Sequence, residues 1–77
     1  MRDAVRSLIE ELLRAIVIEE GVARECAEIA HTCREDGGHE IAGGIQSLAR
    51  HHRVRAMEAR ARVAALKATY RDVDGEA

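Results

Sequence analysis

One helical periodicity runs through almost the whole chain and is broken once, by two adjacent glycines. Apolar residues recur at Val5, Leu8, Ile9, Leu12, Ala15 and Ile16, and again at Val22, Ala23, Cys26, Ile29, Ala30 and Cys33. Separations of three and four place them on one face of an α-helix. A second stripe follows Gly37 and Gly38: Ile41, Ala42, Ile45, Leu48, Ala49, then Ala56, Ala59, Val63, Leu66, Tyr70 and Val73. The 77 residues include no proline, no phenylalanine and no tryptophan, and Tyr70 is the single aromatic. Helix is therefore uninterrupted by proline, and the core has to be aliphatic and alanine-rich.

The boundaries follow from local chemistry. The first helix is predicted over residues 3–36, with the carboxylate of Asp3 capping its first turn. Gly37 is suited to the left-handed position just past a helix end, which makes 37–38 the turn. The second helix is predicted over 39–71, and the tail 72–77 is expected to fray. Gly43 and Gly44 each cost a helix roughly 1 kcal/mol relative to alanine. The stripe stays in phase across them, so the helix is kept; the alternative is a loop over 37–44. This glycine-rich string follows a helix and lacks the lysine and hydroxyl of a phosphate loop.

A chain this small holds one domain and a small core, and such chains usually gain stability from oligomerisation, metal or disulfides. Each predicted helix would be about 50 Å long. Each stripe is three positions wide per heptad, more than a two-helix seam uses. The expected architecture is all-α: a long antiparallel hairpin that dimerises into a four-helix bundle. Cys26 and Cys33 lie two turns apart on one helix, roughly 10 Å, too far to bridge within the chain. They are expected to be buried free thiols.

Charge excludes some classes. The formal net charge is −2, so no global basic field attracts nucleic acid. Arg53, Arg60 and Lys67 recur every seven residues on the outer face of the second helix. No aromatics interleave with them for base stacking, and a solvated, salt-bridged face is expected. No run of apolar residues approaches membrane-spanning length and no secretory segment is evident, so a cytoplasmic location without membrane contact is expected.

Two polar residues interrupt the stripes. With Val5, Leu12, Glu19, Cys26 and Cys33 at heptad position a, the same phase places Ile45, His52, Ala59, Leu66 and Val73 at a in the second helix. Glu19 and His52 then occupy equivalent central positions on antiparallel helices, offset by roughly 6 Å of helix rise. Arg55 and Arg62 fall at position d, and Arg55 lies closer in height to Glu19 than His52 does. A carboxylate on a buried stripe is costly unless paired, protonated or bound. In one reading Glu19, His52 and Arg55 form a polar layer that fixes register. In another, Glu19, Glu20, His51 and His52 hold iron, manganese or zinc, doubled by a two-fold axis. In a third, these groups reach solvent at the bundle edge. Arginine next to the carboxylate favours the first, because a guanidinium cannot ligate a cation and satisfies the group a cation would need. Glu28 and His31, though spaced like ligands, point away from the stripe.

The segments Glu19-Glu20-Gly21-Val22-Ala23-Arg24 and Leu48-Ala49-Arg50-His51-His52-Arg53-Val54-Arg55-Ala56 resemble one helix pair of ferritin-like bundles, rubrerythrins in particular. The resemblance spans residues 16–60. In that family the first helix gives an inward Glu and the second a Glu-x-x-His. Glu19 or Glu20 matches the first ligand. His52 stands where the family has its second Glu, and Arg55 stands where it has its His. The resemblance implies a bundle fold with an altered site, from which conventional di-iron oxidase or ferroxidase chemistry is not expected. The function expected from the residues is a small non-catalytic bundle acting in assembly or partner binding as a homodimer without a cofactor. The alternative is a metal-binding, ferritin-like bundle.

Overall fold

The computed structural model describes residues 2–71 and consists of two helices, α1 (Arg2–Glu35) and α2 (His39–Thr69). They pack antiparallel as a hairpin 55 Å long and 16 by 14 Å across. The predicted tail 72–77 lies outside the described residues. Helix α1 already includes Arg2, so Asp3 sits inside the first turn. Its charge there favours the positive end of the helix dipole, as Arg34 favours the negative end. Asp36 lies beyond the helix, and α2 stops two residues short of the predicted end. At Tyr70 the backbone turns extended, at φ −121° and ψ 71°, and its N–H closes on the Leu66 carbonyl.

The turn is a Schellman motif. The Gly38 N–H donates to the Cys33 carbonyl at 2.8 Å and the Gly37 N–H to the Arg34 carbonyl at 3.1 Å. Gly37 has φ +89°, a conformation that costs other residues about 1–2 kcal/mol. A Cβ on Gly38 would lie 3.3 Å from the Cys33 carbonyl oxygen. Helix α2 then runs through Gly43 and Gly44 without a break, so the loop over 37–44 does not form.

The buried seam uses two of the three stripe positions. On α1 it alternates position a with position e: Val5, Ile9, Ile16, Ala23 and Ala30 are buried, and Leu12, Glu19, Cys26 and Cys33 are half-buried. On α2 Ala42, Ala49, Ala56, Ala59 and Val63 are buried, while Ile45, His52, Leu66 and Tyr70 are half-buried. Cys26 and Cys33 are free thiols at partial rather than full burial.

Side-chain size changes along the seam. Near the turn it is alanine against alanine. Toward the open end Val5, Ile9, Ile16, Ala59 and Val63 form the aliphatic cluster, with Leu12, Leu66 and Tyr70 against it. Position d is covered only in part: Leu8 is 48% exposed, Ile29 52%, Leu48 47% and Ile41 65%, while Ala15 and Val22 are half-buried.

The alanine half has no room for larger side chains, since Ala30, Ala42 and Ala49 are fully covered. Ala49→Leu is expected to destabilise the hairpin by about 1–3 kcal/mol through overpacking. The measurement is the urea midpoint followed by circular dichroism; an unchanged or raised midpoint would contradict the close packing.

Candidate functional site: a Glu-His-Arg layer across the seam

Glu19 is the one charged residue among the inward positions of α1. The heptad phase carries it toward α2, where His52 (position a) and Arg55 (position d) stand one turn apart. The Nε–H of Arg55 donates to Glu19 Oε2 at 2.7 Å, and His52 Nδ1 lies 2.5 Å from Oε1. The Glu19 side chain is 16% exposed, that of His52 23% and that of Arg55 57%. The layer therefore begins in the seam and ends in solvent on the Arg55 side.

The electrostatics favour an ionised carboxylate. The hydrogen bond from Arg55, then that from His52, holds Glu19 below the usual carboxylate range, against an opposing contribution from desolvation. Arg55 is correspondingly raised by its hydrogen bond to Glu19. An ionised oxygen only accepts, so the Nδ1 of His52 carries the hydrogen of this contact. Both carboxylate oxygens are thus satisfied within the hairpin. Among the described residues no buried side-chain nitrogen or oxygen lacks a partner.

The other residues singled out from sequence sit apart from this carboxylate. Glu20 faces the opposite side of the seam, where Arg60 donates to its Oε2 through Nη2 at 2.6 Å and Nε at 3.1 Å. His51 is exposed and meets the His52 ring edge-on, with centroids 5.4 Å apart and planes at 75°. Glu19, Glu20, His51 and His52 therefore do not converge on one point. Among the described residues no three His, Cys, Asp or Glu side chains are grouped to hold a metal ion. Any cation at Glu19 would have to displace Arg55 or His52. His31 pairs with Glu35 at 3.4 Å on the exposed face, and Glu28 accepts from the Thr32 hydroxyl through its backbone carbonyl.

Periodicity alone did not reveal the Glu20–Arg60 pair. It placed Arg60 on a solvated, salt-bridged face with Arg53 and Lys67 without naming its partner, and the side chain reaches across to Glu20 of α1. The available signal was the Glu19-Glu20 doublet: adjacent glutamates on a helix flank its seam at different angles, and each can meet a different arginine.

No helix among the described residues is long and apolar enough to cross a membrane. Neither a protein-family model, nor a curated protein, nor a solved structure matches the chain.

The lowered Glu19 ionisation has a definite sign. A carboxylate depressed in the folded state contributes stability above its unfolded value, near 4.5, and that contribution is lost as pH falls through the folded value. Glu19→Gln removes it. The difference in urea midpoint between wild type and Glu19→Gln should shrink as pH falls below about 4.5. A difference independent of pH down to acid unfolding would refute an ionised, stabilising Glu19.

Proposed function

We propose that this chain is a non-catalytic assembly module, in which two hairpins join through their position-d sides into a four-helix bundle that presents its outer faces to a protein partner. The observation that carries this reading is an apolar row that the hairpin covers only in part, with Leu8, Ile29, Ile41 and Leu48 exposed and Ala15 and Val22 half-buried. Leu8, Ala15, Val22 and Ile29 follow one another at seven-residue intervals along α1, as Ile41 and Leu48 do along α2. Leu8 and Arg62 line one shallow groove together with Leu12, Ala65 and Leu66, so the two position-d rows share a side. Ile18, 63% exposed, adds to it. A patch this long beside a seam made largely of alanine is a surface that association would bury.

Charge supports a second copy as the occupant. The α1 edge of this face carries Glu25 and the α2 edge carries Arg62, while Glu11 and Arg55 on the same edges are paired within the hairpin to Arg14 and Glu19. A two-fold axis that sets α1 over the partner's α2 brings the acidic edge onto the basic one, so the surface is self-complementary. Gly44 lies on the same side. A Cβ there would meet nothing within 4 Å in the single hairpin, so the chain's own packing does not call for glycine. A helix of a second copy approaching closely does.

Light scattering and sedimentation equilibrium at micromolar concentration should give twice the 8.5 kDa chain mass, and Leu48→Glu should give the monomer. A wild-type monomer would sink the proposal. Gly44→Ala separates intrachain from interchain effects. It should raise helix stability by about 1 kcal/mol through propensity alone, while weakening dimerisation because the added methyl enters the interface. A variant that dimerises as tightly as wild type would remove Gly44 from the contact.

A further inference from the structure

The opposite side of the hairpin carries a second groove of different character. It has a volume of about 800 Å³ and a floor made by Ala23, Ala27 and Ala56. Val54 and Met57, 45% and 59% exposed, form its lip on α2. Three guanidinium groups and one carboxylate flank it: Arg24 and Glu20 from α1, and Arg50 and Arg53 from α2; Glu20 is held by Arg60 at 2.6 Å. Arg14, Arg55 and Arg60 are each paired with a glutamate. In contrast, Arg50 donates to the neutral hydroxyl of Ser47, and Arg24 and Arg53 have no ion pair among the described residues. In a chain with more acids than bases, three of the four charged groups lining this apolar trough are arginines without an ion pair among the described residues, and the fourth, Glu20, is already neutralised by Arg60.

We propose that this groove seats an amphipathic helix of a partner protein, apolar along its inner stripe and carrying carboxylates on both flanks. The floor selects the shape. Alanine lets a third helix settle between α1 and α2 at close spacing, as helices pack when small residues face one another. The trough is open along its length, whereas small-molecule sites enclose most of their ligand. The walls select the charge, because arginines on both sides offer forked donors to carboxylates on both edges of an incoming helix. The position-d side is the one proposed for a second copy, which leaves this side to a different partner. Nucleic acid would use the arginines but leave the apolar floor uncovered.

This inference rests on the partner-binding part of the proposed function but not on dimerisation, because one chain forms the whole groove. The probe is a synthetic capped peptide of about 20 residues, long enough to be helical, with a leucine and alanine stripe flanked by glutamates. Fluorescence anisotropy should show saturable 1:1 binding per chain with a dissociation constant on the order of 10–100 μM, weakening at least about tenfold as salt rises from about 50 to 500 mM. Arg24→Glu with Arg53→Glu alters exposed groups that have no ion pair, so helicity and oligomeric mass should be unchanged. Binding of the acidic peptide should be lost, and a lysine-flanked version should bind instead. No saturable binding below about 1 mM, affinity unaffected by the double reversal, or displacement of the peptide by a single-stranded RNA that binds more tightly would each overturn the proposal. Binding to a chain that sediments as a monomer would uphold it while removing the dimer.

Discussion

The apolar stripe on each helix is wider than the seam one neighbouring helix can cover. Positions a, d and e are apolar along much of α1, and α2 covers a and e more fully than d, where Leu8 and Ile29 stay exposed. The geometry leaves no alternative: two helices in contact share two rows per heptad, and a third row lies on the flank. The partly covered row follows from this, and so does the thinness of the core, in which alanine supplies Ala23, Ala30, Ala42, Ala49, Ala56 and Ala59. Alanine brings the helix axes close at the cost of little apolar area removed from water per residue. The hairpin is therefore well defined in shape and modest in hydrophobic stabilisation, which makes association through the third row physically reasonable.

Register has two sources at different distances from the turn. The Schellman bonds at Gly37 and Gly38 fix the helices where the chain reverses. Farther along, a repetitive row of small apolar residues discriminates poorly between alignments. Glu19 supplies the difference. A slip of one heptad would set His52 against Leu12 or Cys26 and strand the carboxylate among aliphatic side chains, a costly arrangement. The layer's energetic role is thus the penalty on wrong alignments more than any gain in the right one, since a well-packed aliphatic pair often stabilises as much.

Much of this was legible in the sequence. The 3.6-residue period and the glycine pair specify two helices and their turn to within two residues, the largest difference being the early stop of α2. That stop depends on the backbone at Tyr70, which periodicity does not report. Glu19, His52 and Arg55 could be matched because depth along an antiparallel hairpin follows from counting residues from the turn. The choice of a and e over d as the inner rows was not legible. It depends on the rotation of each helix about its own axis, and a stripe three positions wide leaves that angle free. The Arg60 pairing was lost for the same reason: its Cβ direction suits either solvent or the flank of α1 until the rotation is known.

The adjacent glutamates fix that angle. Glu19 takes Arg55 on one side of the seam, and Glu20 takes Arg60 on the other. Turning α2 about its axis in either direction would draw one arginine away from its carboxylate while pressing the other inward. Each pair by itself contributes little at a half-exposed position. As opposed braces, however, they resist the one motion that an alanine seam resists poorly, because small side chains interlock weakly. The same bracing sets what each outer side presents. It holds the position-d row and its mixed charges on one side, and the alanine trough with its unpaired arginines on the other. The two sides differ in chemistry because the ion pairs keep α2 from rolling, and the two proposed associations each rest on that difference.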